Sequence, residues 1–416
     1  MKAVFVILDG IGDLPCQELD DKTPLEAADT PHLNALARRG KLGLVYPVRK
    51  GFVPESSEGI LSLFGNTLNA CSRGQMECVG ADLSMKRGDL ALRCNFATID
   101  NPKSKNILDR RVGRTLTTKE ASALTDAIRK YVHLPVPFIF ENTIQHRGVL
   151  VFRGGFSDLI SSNDSHYAKG EHVKQDKIRR VISLSEEDDN ASYTANIVNE
   201  FLDSIYEVLD QHPVNVERRK KGLLPANYLL LRGPGTELPK LVQYPSWISM
   251  SYMPLEIGFS RLSGMKSITF EYPKLKSLDV YENLFQGLKK GCKYGIKTLK
   301  KYNKKFDYAY IHIKETDLPG HDGKPLEKEA MIAYLDKTLF AFLNKFSKKY
   351  NVAVIVTGDH STPCILKAHS DHPVPVLISF PKFPEVDQRF IEKDAKKGIL
   401  GTFTGKEFMS KTGLKR

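Results

Sequence analysis

Apolar runs long enough to cross a bilayer are missing from this sequence. The N-terminal MKAVFVIL meets Asp9 too early to serve as a secretory apolar region. The expectation is a soluble, cytoplasmic protein with no membrane partner. Paired cysteines are missing too: Cys16, Cys71, Cys78, Cys94, Cys292 and Cys364 are scattered without a C-x-x-C spacing. That argues against a disulfide framework or a zinc ribbon and leaves reduced, mostly buried thiols. Nucleic-acid motifs are absent. A formal net charge of +12 would suit a polyanion. Yet the pairs Lys289-Lys290, Lys300-Lys301, Lys304-Lys305 and Lys348-Lys349 fall on or beside long helical patterns, where a solvated polar face explains them. No nucleic-acid partner is expected. Apolar residues are not scarce: at 41% hydrophobic over 416 residues, the chain can build ordinary cores and has room for two domains.

The densest chemistry lies in residues 308–380. Two apolar runs there, 308–314 and 352–357, stop abruptly at Thr316-Asp317 and at Gly358-Asp359-His360. Buried parallel strands behave this way when they deliver ligands at their C-terminal ends. Residues 2–8 follow the same pattern and stop at Asp9-Gly10. Residues 325–350 read as one long connecting helix, with Met331, Tyr334, Leu335, Thr338, Leu339 and Phe342 recurring at helical spacing. Right-handed crossings would bring Asp9, Asp317 and Asp359 to one edge of one sheet.

Thr30 is expected to cap a helix that begins at Pro31 and ends at Gly40, followed by a strand over 43–48. The loop Pro54-Glu55-Ser56-Ser57-Glu58 precedes Ile60, Leu61, Leu63 and Phe64 at helical spacing, which places a serine at or near a helix N-terminus. Backbone N–H groups there favour an anion, and a hydroxyl held against cations loses its proton more readily. A plain N-cap serine gives the same pattern with no chemistry.

From roughly Cys71 to Tyr244 the character changes, and an inserted α+β domain is expected, dividing the chain into 1–71, 72–244 and 245–416. Strands are expected at 90–99, 148–152 and 228–231, and helices at 118–132 and 193–211. Arg73, Arg93, Arg110, Arg111, Arg114, Arg147, Arg153 and Arg232 lie beside these strands and turns. Their planar forks suit carboxylates and phosphates, and a minority of them should touch ligand. The acidic run at 185–190 reads as a solvated loop. The first architecture resumes with a strand over 267–270 and a helix from about 281 to 302.

Singly, these polar residues have ordinary explanations; Asp9 before glycine is a turn former and His312 alternates inside a strand. Jointly, three strand-end aspartates, an Asp-x-x-x-His, an Asp-His and a later histidine offer donors for two adjacent cations: Asp9, Asp317, His321, Asp359, His360 and His369. The loop serine would be a bridging nucleophile. Mixed His/Asp ligation favours manganese, zinc or cobalt over calcium or magnesium. Two cations and an alkoxide suit phosphoryl transfer, because they clamp the attacking and non-bridging oxygens while charge develops.

ILDGIGD, LEAADTPHLNALARRG, HIKETDLPGHDG and TGDHSTP followed by HSDHPVPVLI together resemble the alkaline phosphatase superfamily. Within it the chain resembles the archaeal-type cofactor-independent (2,3-bisphosphoglycerate-independent) phosphoglycerate mutases. RCNFATID, DRRVGR at 109–114 and NYLLLRGPG at 227–235 carry that resemblance into the insert. The fold implied is α/β, an alkaline-phosphatase-like mostly parallel sheet sandwiched by helices, with an inserted α+β cap. The resemblance implies one cation held by Asp317, His321 and His369, and a second held by Asp9, Asp359, His360 and Ser56. Manganese is the expected metal, with zinc or cobalt as alternatives. Ser56 would be the nucleophile, with Ser57 as the close alternative. Phosphoglycerate would be the substrate, held by Arg111, Arg114, Arg147 and Arg232, its phosphoryl group passing to the serine and back to the other hydroxyl. A phosphomonoesterase or another phosphomutase of the superfamily is the alternative activity. Archaeal members typically carry Ser-Asp-Thr-Ala-His where this chain has Ser56-Ser57-Glu58-Gly59-Ile60, and Gly-Asp where it has Asp371-His372.

Overall fold

A computed structural model of the chain describes residues 1–164, 177–237 and 239–415. Among the described residues the strands form two sheets. The larger has eight, in the order Thr402–Thr404, Gly40–Tyr46, Val374–Ser379, Ala353–Thr357, Ala3–Leu8, Tyr308–Ile313, Trp247–Met250, Lys266–Ile268. Ala3–Leu8 is central and runs parallel to both neighbours, Tyr308–Ile313 and Ala353–Thr357. Trp247–Met250 and Lys266–Ile268 continue the parallel set. Val374–Ser379 runs antiparallel to Ala353–Thr357 and to Gly40–Tyr46. The architecture is the expected mixed α/β one, with a mostly parallel central sheet flanked by helices.

Every residue of Ala3–Leu8 is buried, because helices cover both faces of the sheet and side chains alternate between them. Val4, Val6 and Leu8 enter one core with Met331, Leu335 and Leu343. Ala3, Phe5 and Ile7 enter the other with Phe64, Trp247 and Phe408. Each such fully buried valine, leucine, isoleucine or phenylalanine contributes about 1.5–3 kcal/mol. The strand is thereby fixed along its whole length, and its polar tip is set with it.

Two expectations around Pro31 are corrected. The helix Pro31–Arg38 follows Thr30, but the Thr30 side chain makes no capping bond. The Asp336 carboxylate takes that role, accepting from Leu33 N–H at 2.7 Å and His32 N–H at 3.2 Å. Gly40 does not close the helix; it is the first residue of the strand Gly40–Tyr46. Residues 325–350 are also not one regular helix. An α-helix Pro325–Leu335 passes through a π turn, Asp336–Phe340, into the helix Ala341–Tyr350. Such turns shift the side-chain register by one residue, and here the shifted turn begins at a fully buried aspartate that serves a neighbouring helix.

The second sheet has five strands, all antiparallel: Ile107–Asp109, Leu90–Ile99, Arg147–Phe152 and Phe138–Asn142 in order, with Tyr228–Gly235 also paired to Leu90–Ile99. Phe96, Phe140, Phe152 and Phe201 pack in its own core. The short strand Ile107–Asp109 and the partly exposed Phe138–Asn142 carry no alternating apolar signal and were not expected. The helix Asp189–Asp210 starts at the end of the acidic run, because Asp188 accepts from Ala191 N–H at 3.1 Å. Part of that run is a helix cap instead of a solvated loop.

Candidate active site

Three parallel strands end side by side, so Asp9, Lys314 with Asp317, and Asp359 with His360 emerge on one edge of the large sheet. Gly10 carries the chain away from Asp9 at φ +59°, and a Cβ there would meet Asp317 Oδ1 and Thr362 Oγ1 at 2.6 Å. Only glycine allows both that turn and that approach. Gly10 N–H donates to Asp359 Oδ1 at 3.2 Å, and Thr316 Oγ donates to the Asp9 carbonyl at 2.6 Å. The loops are thus tied to one another before any ligand is considered.

Ser56 is the first residue of the helix Ser56–Leu63, and Glu55 is its N-cap in a capping box with Glu58. The cap role open to the serines therefore falls to their acidic neighbour. At Gly59 the helix lies against the Asp359 carbonyl, where any Cβ would collide. That contact carries Ser56 Oγ to 3.2 Å from His360 Nε2, with Lys314 Nζ at 3.4 Å. Ser57 is also buried, one residue further into the helix.

Hydrogen bonding decides the histidine tautomers. The Thr362 hydroxyl donates to Asp317 Oδ1 at 2.7 Å, so it must accept from His360 Nδ1 at 3.0 Å. His360 Nε2 is then bare, 3.2 Å from Asp9 Oδ1. His369 donates from Nδ1 to the Pro54 carbonyl at 2.9 Å, which leaves its Nε2 bare toward Asp317 Oδ1 at 3.8 Å. His321 Nε2 lies 3.3 Å from Asp317 Oδ2, and its ring is 4.9 Å from that of His369. Histidines that donate from one nitrogen and present the other are arranged as metal ligands are.

The donor set fits divalent cations. Asp9 Oδ1 and Asp359 Oδ2 are fully buried and accept no hydrogen bond, an arrangement that costs free energy unless a cation completes it. Asp9, Asp359 and His360 offer ligating atoms within 4.8 Å of one another, as do Asp317, His360 and His369. His321 reaches the second group through its Asp317 contact. Burial opposes ionisation of Asp317, yet His321, His360 and His369 hold its carboxyl well below the usual range. Burial lowers His369 to about 4 and lowers His360 as well, so both rings are neutral near pH 7.

A third group, Asp9, Glu256 and His312, was not singled out from the sequence. His312 Nε2 lies 3.2 Å from Asp9 Oδ2 and its Nδ1 lies 2.7 Å from the Tyr310 hydroxyl, so Tyr310 orients the imidazole and the imidazole orients Asp9. The Lys314 ammonium contacts Asp9 and stands 3.0 Å from Glu256 Oε1. Nothing in the local pattern marks Glu256, whereas Lys314 is visible as a lone basic residue ending an apolar run.

The cleft above these groups is lined by Arg93, Arg147 and Arg232 from the second sheet, by Arg111, Arg114 and His146 from turns beside it, and by Arg73 at the start of the helix Arg73–Gly80. The structure brings together all four arginines that the resemblance assigned to substrate, with Arg73 and Arg93 of the wider set named from the sequence. Arg232 and Arg73 reach Glu55 Oε2 at 3.3 and 3.0 Å, directly beside Ser56. Arg114 reaches Asp322 at 2.5 Å. Burial, and then Arg93, lowers Arg147 to about 10. Arg110 and Arg153 bind Asp164 and Asp89 instead, outside the cleft lining.

Comparisons with known proteins agree with this geometry. A family model for 2,3-bisphosphoglycerate-independent phosphoglycerate mutase matches residues 37–215, and one for the metalloenzyme superfamily matches 260–413. The mutase of that name from Thermococcus kodakarensis is 36% identical over 420 residues, covering 98% of this chain and 95% of the relative. Its counterpart from Aeropyrum pernix is 36% identical, with 97% of each chain covered. Among solved structures, a protein from Pyrococcus horikoshii superposes with a TM-score of 0.73 at 29% identity, covering 100% of this chain and 98% of the other. A cofactor-independent phosphoglycerate mutase from Thermoplasma acidophilum superposes with a TM-score of 0.57 at 26% identity, covering 99% and 98%. With metal-ligand clusters on one sheet edge, an arginine-lined cleft above them and relatives matched along nearly its whole length, the chain belongs to the 2,3-bisphosphoglycerate-independent phosphoglycerate mutase family.

Proposed function

We propose that this protein interconverts 2-phosphoglycerate and 3-phosphoglycerate in the cytoplasm, as a step of glycolysis and gluconeogenesis, through a phosphoserine at Ser56. The observation that carries the reading is the Ser56 hydroxyl, buried at a helix N-terminus 3.2 Å from the bare Nε2 of His360 and facing a cleft lined with arginines. We assign residues 72–244 to the inserted cap, with 1–71 and 245–416 forming the ligand-bearing domain.

Asp317, His321 and His369 would hold one divalent ion, and Asp9, Asp359, His360 and Ser56 the other. Manganese is the first choice, with zinc or cobalt as alternatives. Such ions, when bound, stabilise a serine alkoxide and the charge that develops on a transferring phosphoryl group. The protein's own groups supply the rest. The helix N-terminus at Ser56 points N–H groups toward an incoming phosphate. Lys314 supplies positive charge beside Ser56 Oγ at 3.4 Å. Arg111, Arg114, Arg147 and Arg232 would bind the carboxylate and phosphate bidentately and hold the glycerate while it turns to present its other hydroxyl. Closure of the cap would exclude water, which would otherwise hydrolyse the phosphoserine and turn a mutase into a phosphatase.

Incubation of the purified protein with 3-phosphoglycerate and manganese tests the reading. Formation of 2-phosphoglycerate with little free phosphate is expected. Stoichiometric phosphate release without isomer would replace it with a phosphomonoesterase.

A further inference from the structure

Behind the ligand loops, Lys328 is fully buried on the helix Pro325–Leu335. An ammonium has three donors, and three acceptors meet them: the Gly10 carbonyl at 2.8 Å, Asp13 Oδ2 at 2.7 Å and the Thr362 carbonyl at 3.1 Å. Gly10 directly follows Asp9, and Thr362 lies two residues beyond His360. One buried cation therefore joins the loops that carry three of the proposed ligands, Asp9, Asp359 and His360. Asp13 widens the tie, its Oδ1 accepting from Cys364 N–H at 2.9 Å and Leu14 N–H at 2.8 Å. Thr362 N–H donates to the Gly12 carbonyl at 3.0 Å. Neither Lys328 nor Asp13 lines the arginine-rich cleft.

Burying this pair is costly, and a well-packed apolar pair would serve stability as well or better. What apolar side chains cannot do is satisfy two buried backbone carbonyls from separate loops at once. We propose that Lys328 is a positioning residue that holds the Asp9 loop and the His360 loop at a fixed separation, and so sets the cation affinity of the Asp9, Asp359 and His360 pocket. The inference rests on reading that pocket as a cation site. Asp317 and His321 share one helix, Asp317–Asp322, so the tie reaches the other pocket only indirectly, through the Thr362 hydroxyl at Asp317 Oδ1.

Lys328→Met and the double variant Lys328→Met/Asp13→Leu test this, the second because it removes both buried charges together. Manganese equivalents and affinities are read by titration followed by electron paramagnetic resonance, alongside melting temperature and steady-state kinetics. The expected result is that one of two manganese equivalents weakens by about 10–100-fold while the other is retained, as for loss of a residue that supports metal ligands. With it, kcat falls about tenfold or more while KM for 3-phosphoglycerate changes by less than about twofold. Two equivalents bound with wild-type affinity in either folded variant overturn the proposal. So does failure of both variants to fold, which would make Lys328 a requirement of the fold and not of the pocket. Wild-type protein that binds no manganese would overturn the reading of the pocket itself, a separate outcome.

Discussion

The Thr362 hydroxyl donates to Asp317 Oδ1 across 2.7 Å. The Thr362 Oγ also lies 3.0 Å from His360 Nδ1, so one side chain joins donors of both proposed pockets and turns the bare nitrogen of His360 toward Asp9. Thr362→Val keeps the shape and removes both bonds. Manganese affinity is expected to fall about 10–100-fold, with the melting temperature lowered by no more than a few degrees, as for loss of about 1 kcal/mol of hydrogen bonding. A wild-type titration curve would mean that the tautomer is set elsewhere.

Ser56→Ala should lower kcat by at least about a thousandfold, the scale of losing a covalent nucleophile, while manganese content stays near that of the wild type. Ser57→Ala should retain most activity. Acid-quenched enzyme mixed with 3-phosphoglycerate should carry phosphate on Ser56 by peptide mass spectrometry. Label on Ser57 would move the nucleophile by one residue.

Arg147→Met and Arg232→Met are expected to raise KM for 3-phosphoglycerate about tenfold or more, the scale of one charge-assisted pair at roughly 1.5–3 kcal/mol. Arg114→Met removes the contact with Asp322 as well, so it should also increase the ratio of free phosphate to isomer by loosening the cap over the cleft. Unchanged KM in all three variants would place the substrate elsewhere in the cleft.

Burial, reinforced by Arg147 and Arg111, holds His146 well below its ordinary value of 6.5. Below pH 6.5 the unfolded chain therefore binds a proton that the folded protein refuses. The contribution to stability is fully present above about pH 6.5 and is lost as pH falls, by up to about 1.4 kcal/mol per pH unit. His146→Gln should flatten the decline of melting temperature between about pH 6.5 and 5. Equal slopes for variant and wild type would show that other groups carry it.

Much of this architecture is legible from local pattern. Ala3–Leu8, Tyr308–Ile313 and Ala353–Thr357 are apolar but for His312 and Thr357 because both faces of the sheet are covered, and that requirement writes itself into consecutive residues. Asp9, Asp317, Asp359 and His360 stand out because each interrupts or follows such a run. Glu256 does not, since its place in the site depends on which elements meet, and Asp336 reads as an ordinary polar residue of a helix until the helix it caps is beside it.

By itself, the sequence determined where the buried strands run, which donor types stand at their ends and which family the motifs resemble, because burial on two faces and strand termination are properties of neighbouring residues. Only the tertiary structure decided that Ser56 Oγ meets His360, that Thr362 chooses the tautomer of His360, and that Lys328 ties two loops from behind. Those relationships join residues on separate loops and elements, and their distances are set by how helices seat on the sheet, as Gly59 seats on the Asp359 carbonyl.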